Sequence, residues 1–201
     1  MSNDIAYPVF RTPDPALALS VARRMVAFGV QPWSDVSVET EVSTLAEVKR
    51  LLDALPGAWF VSYSAPFDLD PDLARSIPEG ELPPGLAEVA AFPPFTVSLQ
   101  LQAVGSVEDR FTAAVGPHPA EVHWASLLWP EAPERDLHGE GKHAEVTLLL
   151  NCESIELDAR TDTHLVLVHV RRRNGDGYED RFAQWLAEQI GQEVIGPPQS
   201  S

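Results

Sequence analysis

Residues 142–191 carry the most tightly patterned sequence in the chain, and that pattern admits few folds. The run 142–151 is apolar-rich, 154–160 alternates as S-I-E-L-D-A-R, and 164–173 reads H-L-V-L-V-H-V-R-R-R. Thr161, Asp162 and Thr163 join the last two over a span of hairpin length. Beyond the turn residues 174–177, Tyr178, Phe182, Trp185, Leu186 and Ile190 recur at helical spacing, so one stripe of that helix must be buried. The expectation is a C-terminal three-strand meander followed by an amphipathic helix.

The upstream sequence extends the same plan. Residues 5–11 read as a strand that Pro8 pushes toward an edge. Asp14 and Pro15 then open a helix that Gly29 stops, with Leu17, Val21, Met25 and Phe28 on one stripe. Residues 33–41 alternate between Val36 and Val38 on one side and acidic or hydroxyl residues on the other, which reads as a half-buried strand. Thr44 and Glu47 form a capping box before a helix that ends at Pro56 and Gly57, and 58–64 reads as a further strand. The clearest alternation sets Phe95, Val97, Leu99, Leu101 and Ala103 against Thr96, Ser98, Gln100 and Gln102. A capping pair at Ser106 and Asp109 precedes a short helix, and 121–129 reads as a strand. With Asp176 and Glu179 this makes three capping pairs, a weak internal rhythm without repeated residue identities. The fold class that follows is α+β, a largely antiparallel sheet with amphipathic helices packed on one face. It is read as one domain over 1–201, weakly subdivided near 66–94 by an acidic, proline-rich loop region.

Charge narrows the function classes. Thirty Asp and Glu stand against fourteen Lys and Arg, a net charge of −16 spread over both halves of the chain. Nucleic acid and anionic lipid are poor partners for such a surface, because phosphate binding needs a basic footprint. No apolar run reaches membrane-spanning length, and the N-terminus lacks the basic and apolar regions of a signal peptide, so the expected location is the cytoplasm. The lone Cys152 agrees with a reducing compartment.

Several motifs start and fail. Asp68, Asp70, Asp72 and Glu79 have the carboxylate spacing of a calcium loop, but Leu73 stands where the sharp turn needs glycine, Pro71 stiffens the loop and Arg75 adds a cation. Six histidines form three pairs five apart: His118 with His123, His138 with His143, and His164 with His169. On a strand that separation sends the last pair to opposite faces, which is wrong for one metal. His143 and Glu145 match half of a zinc deaminase signature whose cysteine half is missing. Neither a metal nor any other cofactor is expected.

What remains is an acidic chain without visible catalytic machinery. In size, charge and that lack it resembles the inhibitors and immunity proteins of bacterial nuclease toxins. The resemblance implies a protein-binding module that neutralises a basic protein partner such as a nuclease toxin or secreted effector, with steering by charge. The expected contact residues are Asp68, Asp70, Asp72, Glu79 and Glu81, with Trp129, Glu131, Glu134 and Asp136 from a second long loop. The alternative is a small enzyme or ligand-binding domain whose site gathers Gln100, Gln102, His118, His123, His143 or Cys152. A third reading gives the acid excess no partner and makes it a solubility device.

Overall fold

The computed structural model describes residues 4–64, 89–172 and 177–200. Pro8 has no N–H to give to a ladder, and β1 (Asp4–Thr12) accordingly forms one edge of the sheet, with a bulge between Pro8 and Phe10. The C-terminal segment closes this edge locally: Ala6 and Gln199 exchange backbone hydrogen bonds, and the Ile195 N–H donates to the Pro8 carbonyl. Asp14 caps α1 (Pro15–Gly29) as its sequence demands, accepting from the N–H groups of Ala16 and Leu17 at 2.9 and 3.2 Å.

Residues 35–125 supply the half of the sheet that ends at the edge opposite β1. β2 (Asp35–Val42) leads to α2 (Leu45–Ala54), whose start is the reciprocal Thr44–Glu47 capping box, and then to β3 (Trp59–Val61). β4 (Phe95–Ala103), α3 (Glu108–Val115) and β5 (Ala120–Ala125) follow. β4 lies antiparallel between β2 and β3, and β2 lies antiparallel between β4 and β5. So β2 runs parallel to β3 and β4 parallel to β5, each pair joined by a helix across an intervening strand. That is the interleaved split βαβ arrangement of a ferredoxin-like sheet, here in the order β5-β2-β4-β3.

β6 (Glu145–Leu150), β7 (His164–Arg171) and β1 extend the β5 side, giving seven strands in the order β1-β7-β6-β5-β2-β4-β3, all antiparallel to their neighbours. α4 (Tyr178–Gln189) completes the helical layer. α1 and α4 cover β6, β7 and β1, while α2 and α3 pack together over the ferredoxin-like part. The four α-helices among the described residues bury their apolar stripes against the same sheet face, where Val36, Val38, Val122, Trp124, Val146 and Val168 meet Met25, Val48, Phe111 and Phe182. Across the helical layer, the Arg23 guanidinium of α1 grips the Asp109 carboxylate of α3 at 3.0 and 2.8 Å.

The expected α+β architecture and its C-terminal meander are therefore present, but the members of the meander differ. β5, β6 and β7 are its three consecutive strands, and 154–160 forms turns inside the β6–β7 connection. The alternation there records a loop packed on one side: Ile155 and Leu157 sit against Ala6, Leu149, Cys152, Leu165 and Leu167, with Leu157 at φ +57°. β4 departs from its pattern for another reason. Val38 pairs with Leu99 but Val36 with Gln102, so an extra residue is inserted, and Leu101 adopts φ +56° with 76% of its surface exposed. The apolar series ends at Leu99 and does not reach Leu101. Ser106 and Asp109 do not cap α3, since its N-cap is Val107 without a side-chain bond. The N-cap of α4 is Gly177, also without a side-chain bond; Asp176 lies outside the described residues.

A leucine in the left-handed region costs about 1 kcal/mol that asparagine largely avoids. Leu101→Asn should therefore raise the stability by roughly 0.5–1 kcal/mol. Urea unfolding midpoints measure this, and a loss of stability would mean that the exposed side chain packs on something.

Candidate interaction surface on the open sheet face

The sheet face opposite the helices presents the polar alternates of each strand. β2 contributes Asp35, Ser37 and Glu39, β4 Ser98 and Gln100, β5 Glu121 and His123, β6 Glu145 and Thr147, and β7 His169. The register sets their contacts. Glu39 stands directly opposite Glu121, Ser37 opposite His123, His123 opposite Thr147, and Glu145 opposite His169. At the β6-β7-β1 end the face is roofed by 151–163, which the Gln199 side chain ties down through the Ile155 N–H and the Glu153 carbonyl. Beside this roof, Ser37, Glu39, Ser98, Gln100, Glu121 and His123 line a hollow of about 230 Å³.

Two carboxylates directly opposite each other on neighbouring strands repel, at a cost to the free fold. Burial first, and then Glu121, push the pKa of Glu39 above the usual carboxylate value, and a hydrogen bond from Ser98 only partly offsets this. Among the described residues no lysine or arginine lines the hollow. The charge that answers these acids is the His123 imidazole, with Nδ1 3.4 Å from Glu121 and Nε2 3.4 Å from Glu145. Burial opposes a proton on His123, yet Glu121, Glu145 and Asp35 outweigh it and raise its pKa above the ordinary 6.5. Its stabilising contribution is complete below pH 6.5 and disappears as the pH climbs through the raised folded value. His164 behaves in the opposite sense. Burial, only partly opposed by the Pro13 carbonyl and Asp14, holds its pKa low, so its contribution is full above pH 6.5 and is lost as the pH falls through the depressed value.

The residues expected from sequence fall in other places. Asp68, Asp70, Asp72, Glu79 and Glu81 lie outside the described residues. Glu131, Glu134 and Asp136 are exposed on the connection between β5 and β6, which packs against the helical side: Leu128 N–H bonds to the Gly29 carbonyl and Arg135 pairs with Glu188 of α4. Trp129 is not a surface anchor, because it is fully buried and its indole N–H donates to the His169 carbonyl at 2.8 Å. Its place beside Pro130 and Glu131 suggested a loop edge, but an antiparallel bridge between Trp129 and Glu140 folds that loop over the core.

The histidine pairs do not converge. His118 bonds Glu47 at the start of α2, while His123 lies on the open face. His164 and His169 occupy opposite sides of β7, His164 receiving the Asn151 N–H on Nδ1. The His143 Nε2 is buried with no hydrogen-bond partner among the described residues. Cys152 is fully buried under the roof and meets none of them, its thiol donating to the Ser154 carbonyl at 3.2 Å. Of the residues named for a catalytic alternative, Gln100 and His123 alone share the hollow. Among the described residues no group of three or more His, Cys, Asp or Glu suits a metal ion, and no helix is long and apolar enough to cross a membrane. A second cleft, of about 630 Å³, opens at one end of the sheet between Thr112, Asn151, Arg160 and Asp162.

The acidic or hydroxyl character of Asp35, Ser37, Glu39 and Glu41 in β2 was visible in the sequence as the wet side of a half-buried strand. That Glu121 would stand opposite Glu39 was not, because β2 ends at Val42 and β5 begins only at Ala120. No family model, curated protein or solved structure matches this chain.

Proposed function

We propose that this chain is a protein-binding module of the inhibitor or immunity type, and that the open sheet face docks onto a basic protein such as a nuclease toxin or secreted effector. The observation that carries the reading is the Glu39–Glu121 opposition on a face where, among the described residues, no lysine or arginine lines the hollow and His123 alone answers the acids. Such a pair costs the free protein stability that a cationic partner would return. Carboxylates held in a fixed register can occupy the positions where a nuclease would hold phosphate, and their field speeds encounter. Leu101, exposed and strained beside Ser37, supplies an apolar contact at the rim, since its N–H bonds the Ser37 hydroxyl at 3.2 Å.

The test is capture of a basic partner from the source cell by immobilised protein, using wild type and the triple variant Glu39→Gln, Glu121→Gln, Glu145→Gln. The variant should remain folded and become slightly more stable, while capture weakens by roughly a hundredfold and the wild-type complex dissociates in high salt. Undiminished capture by the variant would remove the open face from the reading.

A catalytic reading of the same hollow is favoured by one observation, the hydrogen-bonded chain from His123 through Thr147 to His169. Both serine hydroxyls of the hollow are already engaged: Ser37, directly opposite His123, accepts the Leu101 N–H at 3.2 Å, and Ser98 is bonded to Glu39 and 1% exposed.

A further inference from the structure

The Thr147 hydroxyl lies between two imidazoles, 3.0 Å from His123 Nδ1 and 2.9 Å from His169 Nε2. The rings meet edge to face with centroids 5.8 Å apart. A hydroxyl has one proton to donate, so the two nitrogens cannot both accept from it. When His123 is charged, its Nδ1–H donates to Thr147 and its Nε2–H points at Glu145. The Thr147 O–H is then directed at His169 Nε2, which must be unprotonated to accept it. A second proton on His169 would turn that nitrogen into a donor and place two imidazolium rings in van der Waals range.

We propose that His123 and His169 take up a single proton between them through Thr147, and that this proton regulates how strongly the open face holds a cationic partner. The second half rests on the docking reading above. The proton comes from solvent and adds one positive charge at the centre of the face. Every element around His123 contributes to that balance: Glu121 on its own strand, Asp35 and Glu39 from β2, Glu145 from β6 and His169 from β7. With the proton present, the Glu121 and Glu145 charges are answered internally. When it leaves, they are free to pair with a partner's guanidinium or ammonium group, so the partner is held more tightly at higher pH.

Two measurements test this, both over roughly pH 5 to 8.5, the range in which imidazoles titrate. The first is NMR titration of the histidine side chains in the free protein, in wild type, Thr147→Val and His123→Gln. Wild type should show the two rings titrating as a coupled pair that gains one proton in all over this range. Either substitution should abolish that coupling, the glutamine variant serving if the valine variant misfolds. The second is the affinity for a peptide of eight arginines, which should fall about fivefold from the alkaline to the acid end in wild type, the effect of one charge at contact distance. In His123→Gln that fall should vanish, leaving only what Glu39 takes up at the acid limit.

Independent titration of the two rings, unmoved by Thr147→Val, overturns the shared proton and leaves the docking reading standing. A shared proton with peptide affinity flat across the range overturns the regulation alone, provided that the Glu39, Glu121, Glu145 variant still binds the peptide more weakly than wild type. If that variant binds the peptide as wild type does, the docking reading itself falls.

Discussion

Trp129→Ala should lower the stability of the fold by about 4 kcal/mol, the largest effect expected of any single substitution described here. The side chain has 0% exposure, and its indole N–H donates to the His169 carbonyl. Removing it leaves a cavity the size of two fused rings and strands a buried acceptor. The main chain around it is fixed independently by the bonds that Trp129 and Glu140 exchange at 2.8 and 3.0 Å, so the site has little freedom to collapse. Gly29 supplies the space: a Cβ there would lie 2.8 Å from the indole ring. Gly29→Ala should consequently cost roughly 1–3 kcal/mol through the same contact. Urea unfolding monitored by far-UV circular dichroism measures both, and a cost below about 1 kcal/mol for the tryptophan would contradict the packing described.

Glu108→Ala should cost about 3 kcal/mol. This carboxylate is 1% exposed at the start of α3 and answers three donors: the N–H groups of Gly105 and Val107 at 2.8 and 3.1 Å, and the Trp124 indole at 3.0 Å. Alanine leaves the Val107 N–H and the Trp124 indole without an acceptor inside the core, and the Gly105 N–H without one at its margin. Glutamine keeps one acceptor oxygen and should recover roughly half of the loss. The comparison separates charge from neutral hydrogen bonding, because an isosteric glutamine as damaging as alanine would make the charge itself the stabilising element.

Glu108 also shows what could and could not be read from sequence. The helix start near Ser106 was legible from the turn chemistry, but the wrong acid was assigned to it. A capping-box pattern looks outward three residues along the chain, whereas Glu108 turns inward to a tryptophan on β5. Local signals held wherever the partner was local: Asp14 with its helix, Thr44 with Glu47, Pro8 at an edge. They failed where a distant strand decided the outcome. Leu101 belongs to the cleanest alternation in the chain, yet the β2 register inserts a bulge that turns it to solvent. The loop 154–160 copies a strand's period because one side of it rests on an apolar cluster. The candidate surface suffered in the same way: its acids were visible one strand at a time, and the Glu39–Glu121 opposition exists only once β5 lies against β2.

The proposed docking face is tested most directly by locating the surface that a basic partner covers. Amide hydrogen exchange of the chain alone and in complex with the captured partner would locate it. Slowed exchange should concentrate in β2 and β5 around Glu39 and Glu121 and at the exposed Leu101 bulge, with the 131–136 connection unchanged. Protection confined to 131–136, with the open face exchanging as in the free protein, would place the partner on the helical side and contradict the account.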